Sequence, residues 1–307
     1  MENTEHMILK ILLTLIFSST LIIIVLKIFS SAFLPLKMNR ISKFVNSKTQ
    51  YSGEKATFKE CLGIALGALG FRLFIYLISC IIIIYLLDNG EIFNFKTFLQ
   101  EWEKWDATNY IRIADGWYTG HVENGDYTTL AFFPLYPILM RIVDLLVKNM
   151  QLSGLIVSTL CFSIACPFLY ALVALDYGKS AAKKVVVLLT VFPFSFFFGS
   201  MMSESTFLMM TVITLYFIRT HKWGLVALFG ALSGLSRLAG AIIIIPAFIE
   251  WFEYYKPLEL IRRKKWKCFW NVVCTKGLVI LLVLAGTLGY LYINYSIAGK
   301  PFAFMEY

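Results

Sequence analysis

The fold class is decided by stretches such as SGLIVSTLCFSIACPFLYALVAL, residues 153–175, in which 23 consecutive positions carry no charged side chain. A helix that crosses a bilayer needs about 20 predominantly apolar residues. The stretch is too long for a buried strand, and it lacks the alternation of a half-buried one. Working outward in both directions, six more candidate spans occur at 8–29, 68–87, 185–199, 204–219, 223–252 and 277–295. The pattern predicts an all-α, polytopic transmembrane protein.

The composition excludes several other classes of protein. Of the 307 residues, 59% are hydrophobic and 15% are charged, whereas a soluble domain has about 45–50% apolar and about 25% charged residues. A water-soluble globule is therefore excluded. The pattern also argues against an outer-membrane barrel, because its strands alternate apolar and polar residues over about ten positions. The formal charge of +9 predicts cytoplasmic loops rich in Lys and Arg rather than a nucleic-acid partner.

The charges of the first two loops predict the orientation in the membrane. Residues 30–60 hold six Lys or Arg against two Glu, a balance of +4. Residues 88–130 hold three Lys or Arg against eight Asp or Glu, a balance of −5. Because cytoplasmic loops carry the excess of Lys and Arg, we expect the first loop inside and the second outside.

Two later basic clusters constrain the number of crossings, one at Lys179–Lys184 and one at Arg262–Lys265. Both clusters stay inside only if 131–148 lies along the interface without crossing and 223–252 crosses twice. Pro246 or the region of Gly240 permits the break that a double crossing needs. This topology has about eight crossings and an outer N-terminus. Its one large extracytoplasmic loop, 88–152, is expected to hold short interfacial helices.

The predicted organisation has two parts. Residues 1–60 form an N-terminal anchor helix and a basic cytoplasmic loop, and residues 61–307 form the membrane domain. The apolar stretch 8–29 is too long for the core of a signal peptide and no cleavage site follows it, so we expect a retained anchor. The sequence ends at Tyr307, just beyond the last span and without a polar tail, which predicts further C-terminal sequence.

Cysteines and histidines predict no metal site. The six cysteines form no CxxC pair, and the three histidines do not lie near them at zinc-ligand spacing. Most of the cysteines lie in or beside apolar blocks, where Cys packs as a small hydrophobe.

A first candidate site lies in EWEKWDATNYIRIADGWY, residues 101–118. Asp106 beside Trp105 is suited to act as a general base for an incoming hydroxyl group, and it is equally suited to be a helix N-cap. Asp115 lies nine residues further on, on the opposite face of a helix, and an ion pair with Arg112 is its structural alternative. The dense Trp and Tyr residues suit an aromatic belt or contact with sugar rings.

A second candidate is Ser203-Glu204-Ser205, between two apolar spans. A carboxylate at membrane depth costs about 2.5–3.5 kcal/mol, which favours a functional role, such as partner to a cation. The alternative is a helix start with Ser203 as the cap and Glu204 stabilised by the helix dipole.

A third candidate is Arg237 in Ser236-Arg237-Leu-Ala-Gly240, near the outer end of an apolar block. Guanidinium groups bind phosphate well, so an anionic partner outside is expected. Arg72, by contrast, starts the predicted span 68–87, where it can snorkel towards the cytoplasm. We interpret Arg72 as structural.

These pieces, in this order and spacing, resemble a known family. The residues that carry the resemblance are Trp105-Asp106, Ile113-Ala114-Asp115-Gly116-Trp117-Tyr118, Phe132-Phe133-Pro134-Leu135-Tyr136-Pro137, Ser203-Glu204-Ser205 and Ser236-Arg237-Leu238-Ala239-Gly240. The family is that of the second mannosyltransferase of glycosylphosphatidylinositol assembly (PIG-V) and its bacterial relatives, in the GT-C superfamily. The resemblance runs from about residue 68 to the end and leaves residues 1–60 uncovered.

The resemblance implies an inverting glycosyltransferase. Such an enzyme moves a sugar, usually mannose, from a polyprenyl-phosphate sugar to a hydroxyl group of a lipid or glycan acceptor on the outer or lumenal face. Asp106 would be the general base with Trp105 beside it, Arg237 would hold the lipid phosphate, and Glu204 would help shape the polar site. Further expected substrate contacts are Tyr110, Asp115, Phe133 and Pro134. The lipid phosphate is the leaving group, so no cofactor and no P-loop are needed, and the dependence on a divalent metal is left open.

A transporter or flippase of lipid-linked sugars is the alternative, with Glu204 and Arg237 lining its pathway. The absence of an inverted repeat and the large outer loop argue against it. A scaffold without activity is a third interpretation. The Ile- and Lys-rich composition predicts a bacterial plasma membrane rather than the endoplasmic reticulum.

Overall fold

The structure, a computed structural model, describes residues 53–86, 94–122 and 126–306, together with four isolated positions near the N-terminus. These ranges are helical and contain no β-strand. Four helical stretches are long and apolar enough to cross a membrane, and one shorter apolar helix accompanies them. The long ones are Phe58–Tyr85, Met150–Val191, Leu238–Arg262 and Trp266–Ala298, and the short one is Trp223–Ser236. The all-α membrane class is confirmed, while the eight crossings stay a prediction, since the span at 8–29 lies outside the described residues.

The helices follow one another with short connections. The α-helices are α1 (Phe58–Leu86), α2 (Phe95–Trp102), α3 (Ala107–Gly116), α4 (Leu135–Val147), α5 (Met150–Val191), α6 (Glu204–Arg219), α7 (Trp223–Ser236), α8 (Ile244–Tyr255), α9 (Pro257–Arg262), α10 (Trp266–Val272), α11 (Leu278–Leu281) and α12 (Ala285–Ala298). Short 3₁₀ segments lie at Thr128–Ala131, Pro193–Phe198, Leu238–Ile243, Leu282–Leu284 and Ala303–Glu306, and a π-helical turn lies at Val273–Gly277.

Helix α1 begins ten residues before the predicted span 68–87. Thr57 and Glu60 form a capping box: the Thr57 backbone N–H donates to Glu60 Oε2 at 2.8 Å, and the Glu60 backbone N–H donates to Thr57 Oγ1 at 3.3 Å. The polar first turn hides this start from a search for apolar residues. Arg72 is therefore well inside the helix rather than at its start, and the expected snorkel is wrong. Its guanidinium is fully buried 4.3 Å from the ring centroid of Phe162.

Helix α5 joins the predicted spans 153–175 and 185–199. Its 42 residues would extend about 63 Å as one straight helix, about twice the hydrocarbon thickness. The helix breaks at Gly178, which has φ 79° and ψ 166°, a conformation open essentially to glycine alone. The second part ends at Val191, earlier than predicted, because Pro193 begins a 3₁₀ turn.

Ion pairs join three helices near this break. Lys179 Nζ lies 2.9 Å from Glu60 Oε1 and links α5 to α1. Arg219, in the last turn of α6, reaches back to Asp176 of α5. These pairs hold together one end of the helix bundle, to which the chain returns through α6 from the other end.

Helix α4 is the element predicted to lie along the interface. Its 13 residues extend about 20 Å, less than the hydrocarbon core of about 30 Å, in line with a helix that does not cross. The Tyr136 hydroxyl donates to the backbone oxygen of Gly154 at 3.0 Å and lies 2.9 Å from Ser158 Oγ. These bonds attach α4 to the first part of α5.

The block 223–252 is broken in the region of Gly240, as predicted: the break begins at Arg237 and continues through the 3₁₀ segment Leu238–Ile243. Arg237 is extended, with φ −159° and ψ 152°. Gly240 then packs so closely on α7 that a Cβ atom there would lie 2.3 Å from the carbonyl group of Ser233. A side chain at position 240 would therefore clash with α7, and only glycine allows the chain to pack this closely after the turn at Arg237.

The chain packs as two compact units. One unit comprises residues 51–248 and 273–307 and contains every side chain of the candidate site described below. Of the other, 1–50 and 249–272, the structure describes mainly the second segment, where Arg263 Nη2 lies 3.3 Å from Glu259 Oε2. The predicted boundary between 1–60 and 61–307 stays a prediction.

Candidate functional site

Three helices meet at the hydroxyl group of Ser203. The Tyr110 hydroxyl donates to Ser203 Oγ at 2.8 Å, and Arg237 Nε donates to the same oxygen at 3.1 Å. Tyr110 lies in the middle of α3, Ser203 directly precedes α6, and Arg237 directly follows α7. Side chains from positions 93 and 34 residues apart are thus joined through one buried oxygen.

Glu204 adds a carboxylate to this centre. Its Oε1 forms an ion pair with Arg237 Nη2, which agrees with its interpretation as partner to a cation. Its Oε2 is buried and has no hydrogen-bond partner, and Ser205 Oγ is in the same condition. Glu204 is the first residue of α6, where the helix dipole favours a negative charge. Ser203 occupies the N-cap position, but its side chain does not cap.

Asp106 stands at the start of α3 with an exposed carboxylate. It occupies the N-cap position, yet its side chain makes no capping hydrogen bond. Its backbone oxygen instead accepts from the N–H groups of Asn109 and Tyr110, at 3.1 and 3.2 Å. Asp106 therefore has the position that the cap interpretation requires but lacks the bond that would explain an aspartate there.

Tyr110 is in the electrostatic field of the charged residues around it. Burial raises the pKa of Tyr110 to about 12, Ser203 and Arg237 lower it, and the negative charges of Glu204 and Asp106 raise it. All three charged groups thus act on one phenol. Because its pKa is so high, the Tyr110 hydroxyl remains a neutral donor throughout the physiological range. We refer to Asp106, Tyr110, Ser203, Glu204 and Arg237 as the site cluster.

Trp105 projects beside the site cluster in an unusual backbone conformation. Its φ is 53°, which is uncommon for a bulky residue and typical of functional sites. The side chain is 67% exposed, although the rings of Phe196 and Phe197 lie 5.9 and 5.6 Å away. An exposed indole supported by two other rings offers a flat apolar surface next to the Asp106 carboxylate.

Three other residues expected from the resemblance lie elsewhere. Asp115 is nine residues from Asp106, about 13.5 Å along α3, and its carboxylate lies 4.0 Å from His121 Nε2. Phe133 is buried and stacks on Tyr290 with 3.8 Å between ring centroids. Pro134 is buried directly before α4. These residues pack the walls and ends of the α3–α4 region rather than join the site cluster.

A cavity of about 300 Å³ lies between α3 and α4. Ala114, one helical turn after Tyr110, lines it together with Ile113, Trp117, Pro137 and Ile138. Its lining is apolar apart from Arg141, and no member of the site cluster reaches it. The cavity is therefore next to the site cluster but separate from it.

Two features of the site do not stand out in the sequence. Ser203 was considered only as a cap, whereas it is the acceptor that joins Tyr110 to Arg237. The contact of Trp105 with Phe196 and Phe197 is also not evident from the sequence, although the run of phenylalanines ending at Phe198, five residues before Ser203, is the signal for it. Within residues 53–86, 94–122 and 126–306 no group of three or more His, Cys, Asp or Glu side chains is arranged to hold a metal ion.

Comparison with known proteins identifies a family. The family model described as Mannosyltransferase (PIG-V) matches residues 77–301, which include the whole site cluster. No curated protein and no solved structure matches significantly.

Proposed function

The chain belongs to the PIG-V mannosyltransferase family, and from that premise we propose that it transfers mannose from a polyprenyl-phosphate donor to a hydroxyl group. The protein is a membrane glycosyltransferase. The proposal adds the donor class, inversion at the sugar carbon, and a site on the extracytoplasmic face. It also assigns the acceptor hydroxyl to a lipid or a glycan.

The observation that carries this proposal is the site cluster itself. A partly exposed guanidinium forms an ion pair with the Glu204 carboxylate, and the Asp106 carboxylate acts on the same buried tyrosine as that pair. Transfer from a lipid phosphate needs a cation for the departing phosphate and a base for the attacking hydroxyl. The cluster supplies both kinds of group, and the absence of a nucleotide-binding motif in the sequence agrees with a donor that carries its own leaving group.

Arg237 is proposed to bind the donor phosphate. A guanidinium presents its N–H groups in a planar fork that fits two phosphate oxygens. Ser203 holds the Nε side of this fork, and Tyr110 holds Ser203. The cation is thus oriented before the donor arrives, which is the condition for strong stabilisation of the charge that develops on the phosphate.

Asp106 is proposed to be the general base. Its carboxylate is exposed and forms no hydrogen bond or ion pair with the described residues, so it is available to a substrate. The acceptor oxygen attacks the sugar carbon from the side opposite the phosphate, and its proton passes to Asp106. The bond from this carbon to the phosphate oxygen breaks, the phosphate keeps the electron pair, and Arg237 stabilises the added charge.

Trp105 is proposed to be the platform for a sugar ring. Its exposed indole adjoins Asp106 in sequence, and the Phe196 and Phe197 rings support it. Tyr110 takes part by orienting Ser203. Asp115, Phe133 and Pro134 are assigned to the periphery, where they are proposed to shape the α3–α4 region that faces the substrates.

The composition supports a bacterial plasma membrane as the location. A transfer assay tests the function. Purified full-length protein is supplied with radiolabelled mannose on a polyprenyl phosphate and with total membrane lipids as acceptors. We expect label to enter lipid or glycan from the prenyl-phosphate donor and not from a nucleotide-linked donor. Transfer from the nucleotide sugar alone would contradict the proposed donor.

A further inference from the structure

The Arg237–Glu204 pair is incompletely bonded on both sides. Glu204 Oε1 accepts from Arg237 Nη2, while Glu204 Oε2 is buried and receives no hydrogen bond. A carboxylate has acceptor sites on both oxygens, and a buried oxygen without a donor lowers the stability of the fold. A pair selected only to join α6 to α7 would use both oxygens.

The guanidinium has unused donors as well. Of its five N–H groups, the described contacts use Nε–H towards Ser203 and one N–H of Nη2 towards Glu204. The remaining three have no described protein acceptor, and 39% of the Arg237 side chain is exposed. Arg237 can therefore bind a second anion on its accessible side and keep its hydrogen bond to Ser203.

Glu204 occupies part of the guanidinium surface that a phosphate would use. A carboxylate and a phosphate both present two oxygens to the fork of an arginine. A phosphate that engages Nη1 and Nη2 together binds the same nitrogen as Glu204 and brings its oxygens close to the Glu204 carboxylate. Two anions at one nitrogen repel each other, and the repulsion is strong at the edge of a low-dielectric region.

We propose that Glu204 is an internal counter-ion that the donor phosphate displaces from Arg237. This inference rests on the proposed function, because it takes Arg237 as the phosphate-binding residue. In the free protein the Glu204 carboxylate neutralises the guanidinium and keeps it in place. On donor binding the phosphate takes over the Nη2 donor, and the carboxylate turns to accept hydrogen bonds from the sugar hydroxyl groups.

Ser203 makes this exchange possible. Its oxygen accepts from both Tyr110 and Arg237 Nε, so the guanidinium stays oriented after Glu204 leaves. Within the described contacts Ser203 Oγ acts only as an acceptor. Its own hydrogen is left to donate, and the incoming phosphate oxygen is the acceptor that the exchange would supply.

The exchange has a consequence that a permanent ion pair would not have. If Glu204 competes with phosphate for Arg237, removal of its charge raises the affinity for the donor. If Glu204 only holds Arg237 in place, removal of its charge lowers the affinity, because the guanidinium loses a support. The sign of the change in affinity distinguishes the two.

The test is equilibrium binding of a sugar-free polyprenyl phosphate to the purified full chain in detergent. We expect Glu204→Gln to lower Kd about fivefold to tenfold, the lower part of the range for coupled sites. Arg237→Ala should lose binding at accessible ligand concentrations. Asp176→Asn is the matched control: it removes one charge from the carboxylate–arginine pair at the other end of α6 and should leave Kd unchanged.

The possible outcomes are separable. A Glu204→Gln protein with unchanged or higher Kd and a normal thermal unfolding profile overturns the exchange but leaves the proposed function standing, provided that Arg237→Ala loses binding. Normal binding by Arg237→Ala overturns the phosphate assignment itself. Should Glu204→Gln fail to fold, Glu204→Asp serves instead. Its shorter carboxylate is withdrawn from the guanidinium and must also lower Kd, and an unchanged Kd counts against the exchange.

Discussion

Each end of α6 has a carboxylate–arginine pair, and the two pairs are bonded differently. At one end, Arg219 holds Asp176 through two bonds, Nη2 to Oδ1 at 2.6 Å and Nε to Oδ2 at 3.3 Å. At the other end, Arg237 shares its guanidinium between Glu204 and Ser203, and one oxygen of Glu204 has no donor. The ends are about 22 Å apart along the helix axis.

The difference between the two pairs indicates that one stabilises the fold and the other is available to a ligand. The Arg219–Asp176 pair is the less exposed, with side chains 29% and 18% exposed, against 39% and 25% for Arg237–Glu204. A fork that matches both carboxylate oxygens is the arrangement that stabilises a fold. A pair with free donors and a free acceptor instead has capacity left for a ligand. We call the first the anchor pair and the second the site pair.

The largest effect is expected beside the site pair, from Asp106→Asn. The amide keeps the shape and can still cap α3, but it cannot take a proton at neutral pH. Loss of general-base catalysis should lower mannose transfer by a factor of about 10²–10⁴, measured as turnover of labelled donor in membranes with matched expression. Asp115→Asn, at the far end of the same helix, is the control and should lose much less. Wild-type turnover by Asp106→Asn would remove Asp106 from the mechanism.

The second largest effect is expected from a lysine substitution in the site pair, compared with the same substitution in the anchor pair. Arg237→Lys keeps the charge but loses the fork, so binding and stabilisation of the phosphate should fall by a factor of about 10² in turnover, as for other single electrostatic donors. Arg219→Lys should leave turnover within about twofold. It changes only the anchor pair, which lies at the other end of α6 and does not contact the site cluster. Equal losses in both variants would mean that the two pairs do not differ as proposed.

The free energy of unfolding should depend more on the anchor pair than on the site pair, which is the reverse of the order expected for turnover. Asp176→Asn removes one partner of the anchor pair and leaves a half-buried guanidinium with a weaker acceptor. We expect it to lower the free energy of unfolding by about 1–3 kcal/mol. Glu204→Gln should cost less, since its Oε2 has no donor to lose. Thermal unfolding of both proteins in one detergent measures the difference, and a larger loss for Glu204→Gln would contradict the distinction.

The smallest effect concerns pH. The folded pKa of Tyr110 is about 12 against an ordinary value near 10, so folding favours the protonated phenol. Its contribution to stability is complete below about pH 10 and is lost as the pH rises towards 12. Tyr110→Phe should remove this part of the alkaline loss of stability, seen by unfolding at pH 9 and pH 11.5. Parallel pH profiles for the two proteins would show that Tyr110 does not titrate as described.

The sequence singled out the three charged members of the site cluster but not the residue that connects two of its side chains. Asp106, Glu204 and Arg237 stand out because a carboxylate or guanidinium beside apolar residues has a cost that needs a reason. Ser203 does not stand out, because a serine before a helix has an ordinary role as a cap. Its actual role depends on Tyr110 and Arg237, which come from distant parts of the chain.

Arg72 is a second residue whose surroundings the sequence did not predict. Apolar residues begin in strength near residue 68, so the sequence suggested a charged residue at a helix start. The capping box of Thr57 and Glu60 moves the start of α1 to residue 58 and places Arg72 deep in the helix. A local polar interaction, which hydropathy does not measure, decided the environment of a residue more than three turns away.

The sequence by itself determined the class of the protein: runs of about 20 apolar residues can satisfy their backbone groups in a bilayer only as helices, and the ordered motifs identify the family. The tertiary structure alone decided which polar groups meet. Asp106, Tyr110, Ser203, Glu204 and Arg237 lie on three helices, and their distances depend on close packing such as that of Gly240 on Ser233. Hydropathy can be calculated from one segment of sequence at a time. A hydrogen bond or an ion pair between distant residues depends on how the segments pack, and no single segment contains that information.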